Sequence, residues 1–239
     1  MTSDPVAPAG DVGYQFPDGP KLNLGCGTVQ PPGWVNIDAS HRAWLAARLP
    51  HLDRLLIRLG LLPKTEFGPQ VKIHNLNKPL PYGDDTVACI YGGEVWEHFE
   101  YPDAVRLTFE CYRVLAPGGI LRVSVPDGAE FWRRYLEMYK EALAQPSDRR
   151  RAEPLRKHVH AYFDSICTRK IYLRSMMHKH KWQFDEVQLV ELFQEAGFCQ
   201  VRRMSHHHSR VPDIAEVEHS DSGKLIVEGS KPRATPPAV

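Results

Sequence analysis

At 239 residues, with 42% hydrophobic and 25% charged side chains, the chain has the composition of a soluble globular protein and enough length for one sizeable core. A formal net charge of +1 supplies no broad field for gathering polyanions, so nucleic acid is not an expected partner. The five cysteines (Cys26, Cys89, Cys111, Cys167, Cys199) are scattered and contain no C-x-x-C pair, which argues against a disulfide framework or zinc knuckle and points to a reducing cytoplasm.

In chain order, residues 1–20 carry prolines and glycines without periodicity and are expected to be frayed or draped loosely over the core, as is the tail 232–239. Neither a secretory-signal pattern nor an apolar run of the ~18 residues that span a bilayer is found, so no membrane association is expected. Between the ends, short apolar runs alternate with helix-period segments, the pattern of a mostly parallel sheet with helices on its faces. Lys21 to Leu24 and Trp34 to Ile37 read as the first strands, and Val71 to His74 as a third. Before the third lies a helical insertion, about 41–66, in which Leu52, Leu55, Leu56 and Leu59 recur at i, i+3, i+4 and i+7 and Gly60 supplies the stop. That stripe predicts a helix packed on the sheet or capping its edge; a lid over a substrate pocket is the alternative.

Thr86 to Tyr91 reads as a fourth strand, followed by a helix with Ala104, Leu107, Cys111 and Val114 on its buried side. Ala116-Pro117-Gly118-Gly119 ends that helix and feeds a strand from Ile120 to Val125. A mostly helical segment of about 128–183 follows, in which Phe131, Trp132, Tyr135, Met138 and Tyr139 make an aromatic stripe expected to pack in the core, with one or two rings free to line a pocket. Asp185 with Gln188 forms a capping box, and Gly197 ends its helix. Phe198 to Met204 and Lys224 to Gly229 close the sheet as an antiparallel pair.

The turn in KLNLGCGTVQPPGWVNIDAS carries the chemistry. Gly25 and Gly27 follow a strand and let a ligand approach the backbone. A dinucleotide fingerprint would place a third glycine where Gln30 stands and an acidic residue farther on than Asp38. A pyrophosphate also needs a helix N-terminus, for which Pro31-Pro32-Gly33 leaves little room. The turn suits a ligand with one ribose and no phosphate.

KLNLGCG, VNIDAS, HNLNKPLPYGDDTVACIYGGEVWEHF and ECYRVLAPGGILRVSVPD together resemble class I S-adenosylmethionine-dependent methyltransferases, above all a compact subset with a short first crossover often linked to glycan or natural-product pathways. The resemblance covers residues 21–127 well and 180–230 weakly. It implies an α/β, Rossmann-like, doubly wound sheet with an antiparallel last strand over 21–231, and S-adenosylmethionine as cofactor. It also implies that Leu24, Gly25, Cys26 and Gly27 border the methionine moiety, Asp38 the ribose, Asn75 and Leu76 the adenine, and Gly93 and Glu94 the transferable methyl group. Asp38 also suits the task chemically, since a carboxylate accepts both vicinal hydroxyls; an Asp that merely caps the turn is the plainer alternative. The sequence departs from the family pattern at Asn75, often acidic in relatives, and at Val29, where a third glycine is usual.

Methyl transfer is an in-line displacement, and a hydroxyl acceptor benefits from a base. Glu97 and His98 are adjacent, so on a regular helix or strand only one faces the cofactor; His98 is the expected base, with opening the next helix as its alternative role. His158 with His160 and His178 with His180 have the alternate spacing of one strand face, and His206 to His208 form a run; no zinc spacing is completed, and no metal is expected. Arg149 to Arg151 reads as a solvated linker. The expected activity is O-methylation of a small molecule or glycan. A non-catalytic binding module and, less in keeping with the turn, an NAD-dependent oxidoreductase are the alternatives.

Overall fold

The computed structural model describes residues 14–62, 67–68, 70–145, 151–166, 180–219 and 223–233, and for 162–166 the backbone alone. Its frame is a seven-stranded sheet of β1 (Lys21–Leu24), β2 (Trp34–Asp38), β3 (Lys72–Ile73), β4 (Val87–Gly93), β5 (Leu115–Pro126), β6 (Cys199–Arg203) and β7 (Lys224–Ser230). The spatial order is β3-β2-β1-β4-β5-β7-β6; β7 runs antiparallel to both neighbours and the other pairings are parallel. The doubly wound α/β expectation and the antiparallel β6–β7 pair are thus met.

Some boundaries differ, each for a pairing reason. β4 runs on through both glycines because Gly92 pairs with Leu24 and Gly93 with Ser124. β5 starts at Leu115, not Ile120, because Leu115 pairs with Val87 before a register shift; the expected Ala116–Gly119 turn is an irregularity inside the strand, with Gly118 at φ 82°. β3 shrinks to the residues that meet Ile37 and Asp38.

The main core lies on the face carrying Leu22, Leu24, Ile90, Leu121 and Val123. It is covered by α3 (Tyr101–Val114), which buries the expected Ala104, Leu107, Cys111 and Val114, and by α6 (Glu186–Glu195). The capping box forms as expected: Asp185 accepts from the Gln188 amide at 2.9 Å while the Gln188 side chain donates back to Asp185 at 2.7 Å. The opposite face is more polar. Arg122 is fully buried there between Glu218 and Glu228, and Trp34, Tyr91 and Ile120 pack with Val211, Ile214, Val217 and the ring of Tyr14.

No helix separates β1 from β2, as the Pro-Pro-Gly turn requires. The insertion after β2 instead forms α1 (His41–Arg48) and α2 (Pro50–Arg58). The leucine stripe is not packed on the sheet: Leu52, Leu55 and Leu59 are exposed, and the buried residue of α2 is Asp53, ion-paired to Arg42 of α1. The inward face carries a carboxylate paired to a guanidinium, a contact that hydrophobic periodicity does not register. Among the described residues no helix is long and apolar enough to cross a membrane.

The segment after β5 forms α4 (Gly128–Ala144) and α5 (Glu153–Ile166). Its aromatic stripe is not core either. Trp132 and Tyr139 are exposed, while Phe131 stacks on His158 of α5 at 4.3 Å.

Candidate active site

Parallel pairing brings the carboxyl ends of β2, β1 and β4 side by side, with β1 between strands that continue in opposite directions across the sheet. Leu24 is fully buried at the end of β1, and the chain then turns through Gly25 and Gly27 at φ 62° and 51°, the left-handed region that glycine enters freely. A Cβ on Gly25 would lie 2.5 Å from Val95 Cγ2, whereas one on Gly27 would meet nothing within 4 Å. Gly25 thus packs against the turn after β4, and Gly27 leaves open space in front of the backbone.

The short crossover is held by side chains. The Asn23 amide donates to Val29 O at 2.9 Å and to Asn36 Oδ1 at 3.0 Å, Asn36 donates to Pro31 O at 3.2 Å, and Gln30 donates to Gly27 O at 2.9 Å. Asn23, Asn36 and Gln30 thus replace the missing helix as the support of the turn. Sequence reading passed over Asn23 and Asn36, although an Asn inside an apolar strand is the signal of a buried polar contact.

Asp38 ends β2, buried, with one carboxylate oxygen accepting the Gly27 amide at 3.0 Å and the other the Ser40 amide at 2.6 Å. It therefore does cap the turn. A carboxylate has about four lone-pair sites, so acceptor capacity remains for a ligand. Burial, followed by the nearby Asp38 charge, pushes the Cys26 thiol up to about 12, which leaves it protonated and inert at neutral pH. Leu76 is buried beyond β3, and exposed Asn75 spends its side-chain oxygen on the Asn77 amide at 2.9 Å.

A cavity of about 110 Å³ opens between the ends of β1, β4 and β5; Gly25, Cys26, Gly93 and Glu94 line it together with Asn23 and Lys224. Leu24, Asp38, Asn75 and Leu76 lie outside its lining. Glu94 adopts φ 55°, is fixed by its amide donating to Ser124 O at 2.8 Å, and forms an ion pair with Lys224 of β7.

After Glu94 the chain enters a 3-10 turn, Trp96–His98. Of the adjacent Glu97 and His98, Glu97 lines one of the two cavities described here, and His98, the expected base, lines neither. Both reach His180: one donor atom each from Glu97, His98 and His180 lies within 4.8 Å of the others. The His98 and His180 rings meet edge to face at 5.0 Å. Burial pushes the Glu97 carboxyl up to about 8, and burial, then the neighbouring His98, pulls His180 below its usual value.

Glu97 and His180 also line a second, larger cavity of about 330 Å³, walled by Asp127, Phe131, His158 and Trp182 among others. His158 lies on α5 and not on a strand, so the alternate spacing of His158 and His160 carries no strand meaning. His178 lies outside the described residues, as do Arg149 and Arg150. His206 and His207 stack on each other at 3.6 Å in the segment after β6.

Residues 22–123 match the family model described as a methyltransferase domain. That match runs from β1 into β5 and makes this stretch of the chain similar to a methyltransferase domain. The residues present fit S-adenosylmethionine, the cofactor expected from the sequence: glycine backbone open to a ligand at Gly27, a buried carboxylate on the adjacent strand, and no helix N-terminus for a diphosphate. No curated protein matches the chain significantly. Among solved structures, a possible histamine N-methyltransferase from Thermotoga maritima is 18% identical, covering 90% of this chain and 83% of that chain at TM-score 0.45. An S-adenosylmethionine-dependent methyltransferase from Archaeoglobus fulgidus is 10% identical, with coverage of 91% and 88% at TM-score 0.48. PigF with SAH is 14% identical, with coverage of 89% and 56% at TM-score 0.44.

Proposed function

We propose that this chain moves a methyl group from S-adenosylmethionine to an oxygen of a small molecule or glycan. The observation that carries the reading is the cavity of about 330 Å³, which combines aromatic walls at Phe131, Trp182 and Phe184 with charged groups at Asp127, Glu130 and Arg134. Its size suits a small ligand, and rings beside hydrogen-bonding groups suit a polyhydroxylated or aromatic acceptor. Residues 21–231 are the methyltransferase domain, and the helical segment of about 128–183 covers the acceptor side.

The bound cofactor supplies an electrophilic methyl group on a sulfonium. The chain's part is to bind, orient and deprotonate. Leu24 to Gly27 present backbone to the methionine moiety, Asp38 accepts the ribose hydroxyls, and Asn75 and Leu76 border the adenine. Gly93 and Glu94 flank the transfer point, where a glycine lets donor and acceptor come close. The Glu97–His98–His180 group, in which Glu97 is buried and the two histidines half-buried, is where the acceptor hydroxyl sheds its proton, with His98 as the base. Free Cys26, Cys89, Cys111 and Cys199 support a cytoplasmic place of action.

The test is transfer of a labelled methyl group across a panel of glycans, phenols and amines. Turnover on hydroxyl acceptors is expected. Turnover confined to amines would replace oxygen by nitrogen, and cofactor binding without turnover on any acceptor would favour a binding module.

A further inference from the structure

The Glu97 side chain is 1% exposed, and neither of its carboxylate oxygens has a hydrogen-bond partner. Buried carboxyl groups are normally paired, so a group left bare on a cavity wall is short of a ligand that the chain itself does not provide. Its surroundings are built to hold it in place. The Glu97 carbonyl accepts the amides of Lys181 at 2.7 Å and Trp182 at 3.2 Å, which clamps the segment carrying His180 over the 3-10 turn. That clamp is why residues so far apart in sequence bring three donor atoms within 4.8 Å.

We propose that Glu97, His98 and His180 bind a divalent first-row transition ion of the zinc or manganese type, which holds a hydroxyl of the acceptor at the cavity wall. Two imidazoles and one carboxylate favour such an ion over magnesium or calcium, which prefer all-oxygen shells. Three protein ligands leave positions open, the arrangement of a catalytic and not a structural site. Glu94, whose charge is felt by both Glu97 and His180, adds negative potential at the mouth and is steadied by Lys224. The cavity beside Glu97 and His180 gives an acceptor direct access to the open positions.

The other candidate cluster, His206, His207 and Glu218, does not have this character. Glu218 already accepts from Arg122 at 3.0 and 2.8 Å and from the His207 amide at 2.7 Å, so its carboxylate is satisfied.

The role of the ion rests on the oxygen-transfer reading. The ion withdraws electron density from the bound hydroxyl, whose proton leaves to solvent. The oxygen then forms the bond to the methyl carbon while the carbon–sulfur bond breaks and its electron pair returns to sulfur. This replaces the base role given to His98 above: with its lone pair on the ion the imidazole cannot take the proton, and loss of ion binding in His98→Ala separates the two roles.

The full chain, stripped with a chelator and dialysed, is titrated with zinc, manganese and cobalt, with metal content read by mass spectrometry and cobalt ligation by visible absorption. One tightly held ion per chain is expected. Glu97→Gln, which keeps the side-chain shape, and His180→Ala, at a half-buried position, should each weaken binding by more than the roughly 10- to 100-fold typical of losing an outer-shell partner. Circular dichroism checks that both fold, and His206→Ala should leave binding unchanged. Absence of a stoichiometric ion, or its loss with His206→Ala and retention with His180→Ala, overturns the site. Full turnover on a hydroxyl acceptor by the stripped protein overturns the role of the ion while oxygen transfer stands. A tightly bound ion in a protein that methylates only amines supports the site and removes the oxygen reading instead.

Discussion

In the proposed reaction Asp38 and His98 do different work. Asp38 sits between two backbone amides and fixes the turn. Asp38→Ala should weaken cofactor binding by about 1–3 kcal/mol, the cost of a lost buried hydrogen-bond partner, and calorimetric titration would measure it. Asp38→Asn keeps an acceptor oxygen and should lose less. His98 lies on the turn after β4, against His180. His98→Ala should slow turnover by about 10²- to 10⁴-fold while leaving cofactor affinity nearly intact, in single-turnover assays. A variant at full speed would remove His98 from the mechanism. Asp38 was legible because it follows the second strand directly. The partnership of Glu97 with His180 was not, because the geometry of an irregular turn does not follow from periodicity.

At the level of elements, the two glycines of the first turn separate into distinct jobs. Gly25 is pressed against Val95, while Gly27 faces open space. Gly25→Ala is expected to destabilise the fold by about 1–2 kcal/mol through its left-handed backbone alone, with the clash against Val95 added. Val95→Ala in the same chain should recover the steric part and not the backbone part, so the double variant should remain less stable than Val95→Ala in urea unfolding. The helices after β2 show a limit of pattern reading. A leucine stripe announces an amphipathic helix, yet Leu52, Leu55 and Leu59 are exposed while the inward face carries the Arg42–Asp53 pair.

For the whole molecule, the sheet is asymmetric: α3 and α6 pack on an apolar face, and the other face carries a buried guanidinium. Arg122 donates to Glu218, to Glu228 at 3.2 Å, and to the carbonyls of His208 at 2.9 Å and Ser205 at 3.0 Å, tying the segment after β6 to β5 and β7. Arg122→Met should cost about 3–5 kcal/mol, since it leaves the buried Glu218 carboxylate without its cation while Glu228 keeps Arg210. Denaturant titration would read the loss, and a change within a few tenths of a kcal/mol would show that the network is dispensable. The segment so anchored includes Val217, which borders the smaller cavity, so the loss should also loosen the cofactor side of the site.

The sequence by itself determined most of the strands and the short first crossover. Those features are local: a strand, a glycine turn and an acidic strand end lie within a few residues of one another, and steric rules act at that range. Tertiary structure alone decided which side of each amphipathic helix faces inward, how Arg122 is satisfied, and that His180 meets Glu97 and His98 on a cavity wall. Those outcomes depend on contacts between segments distant in the chain, where hydrogen bonding and desolvation choose among arrangements that periodicity leaves equal.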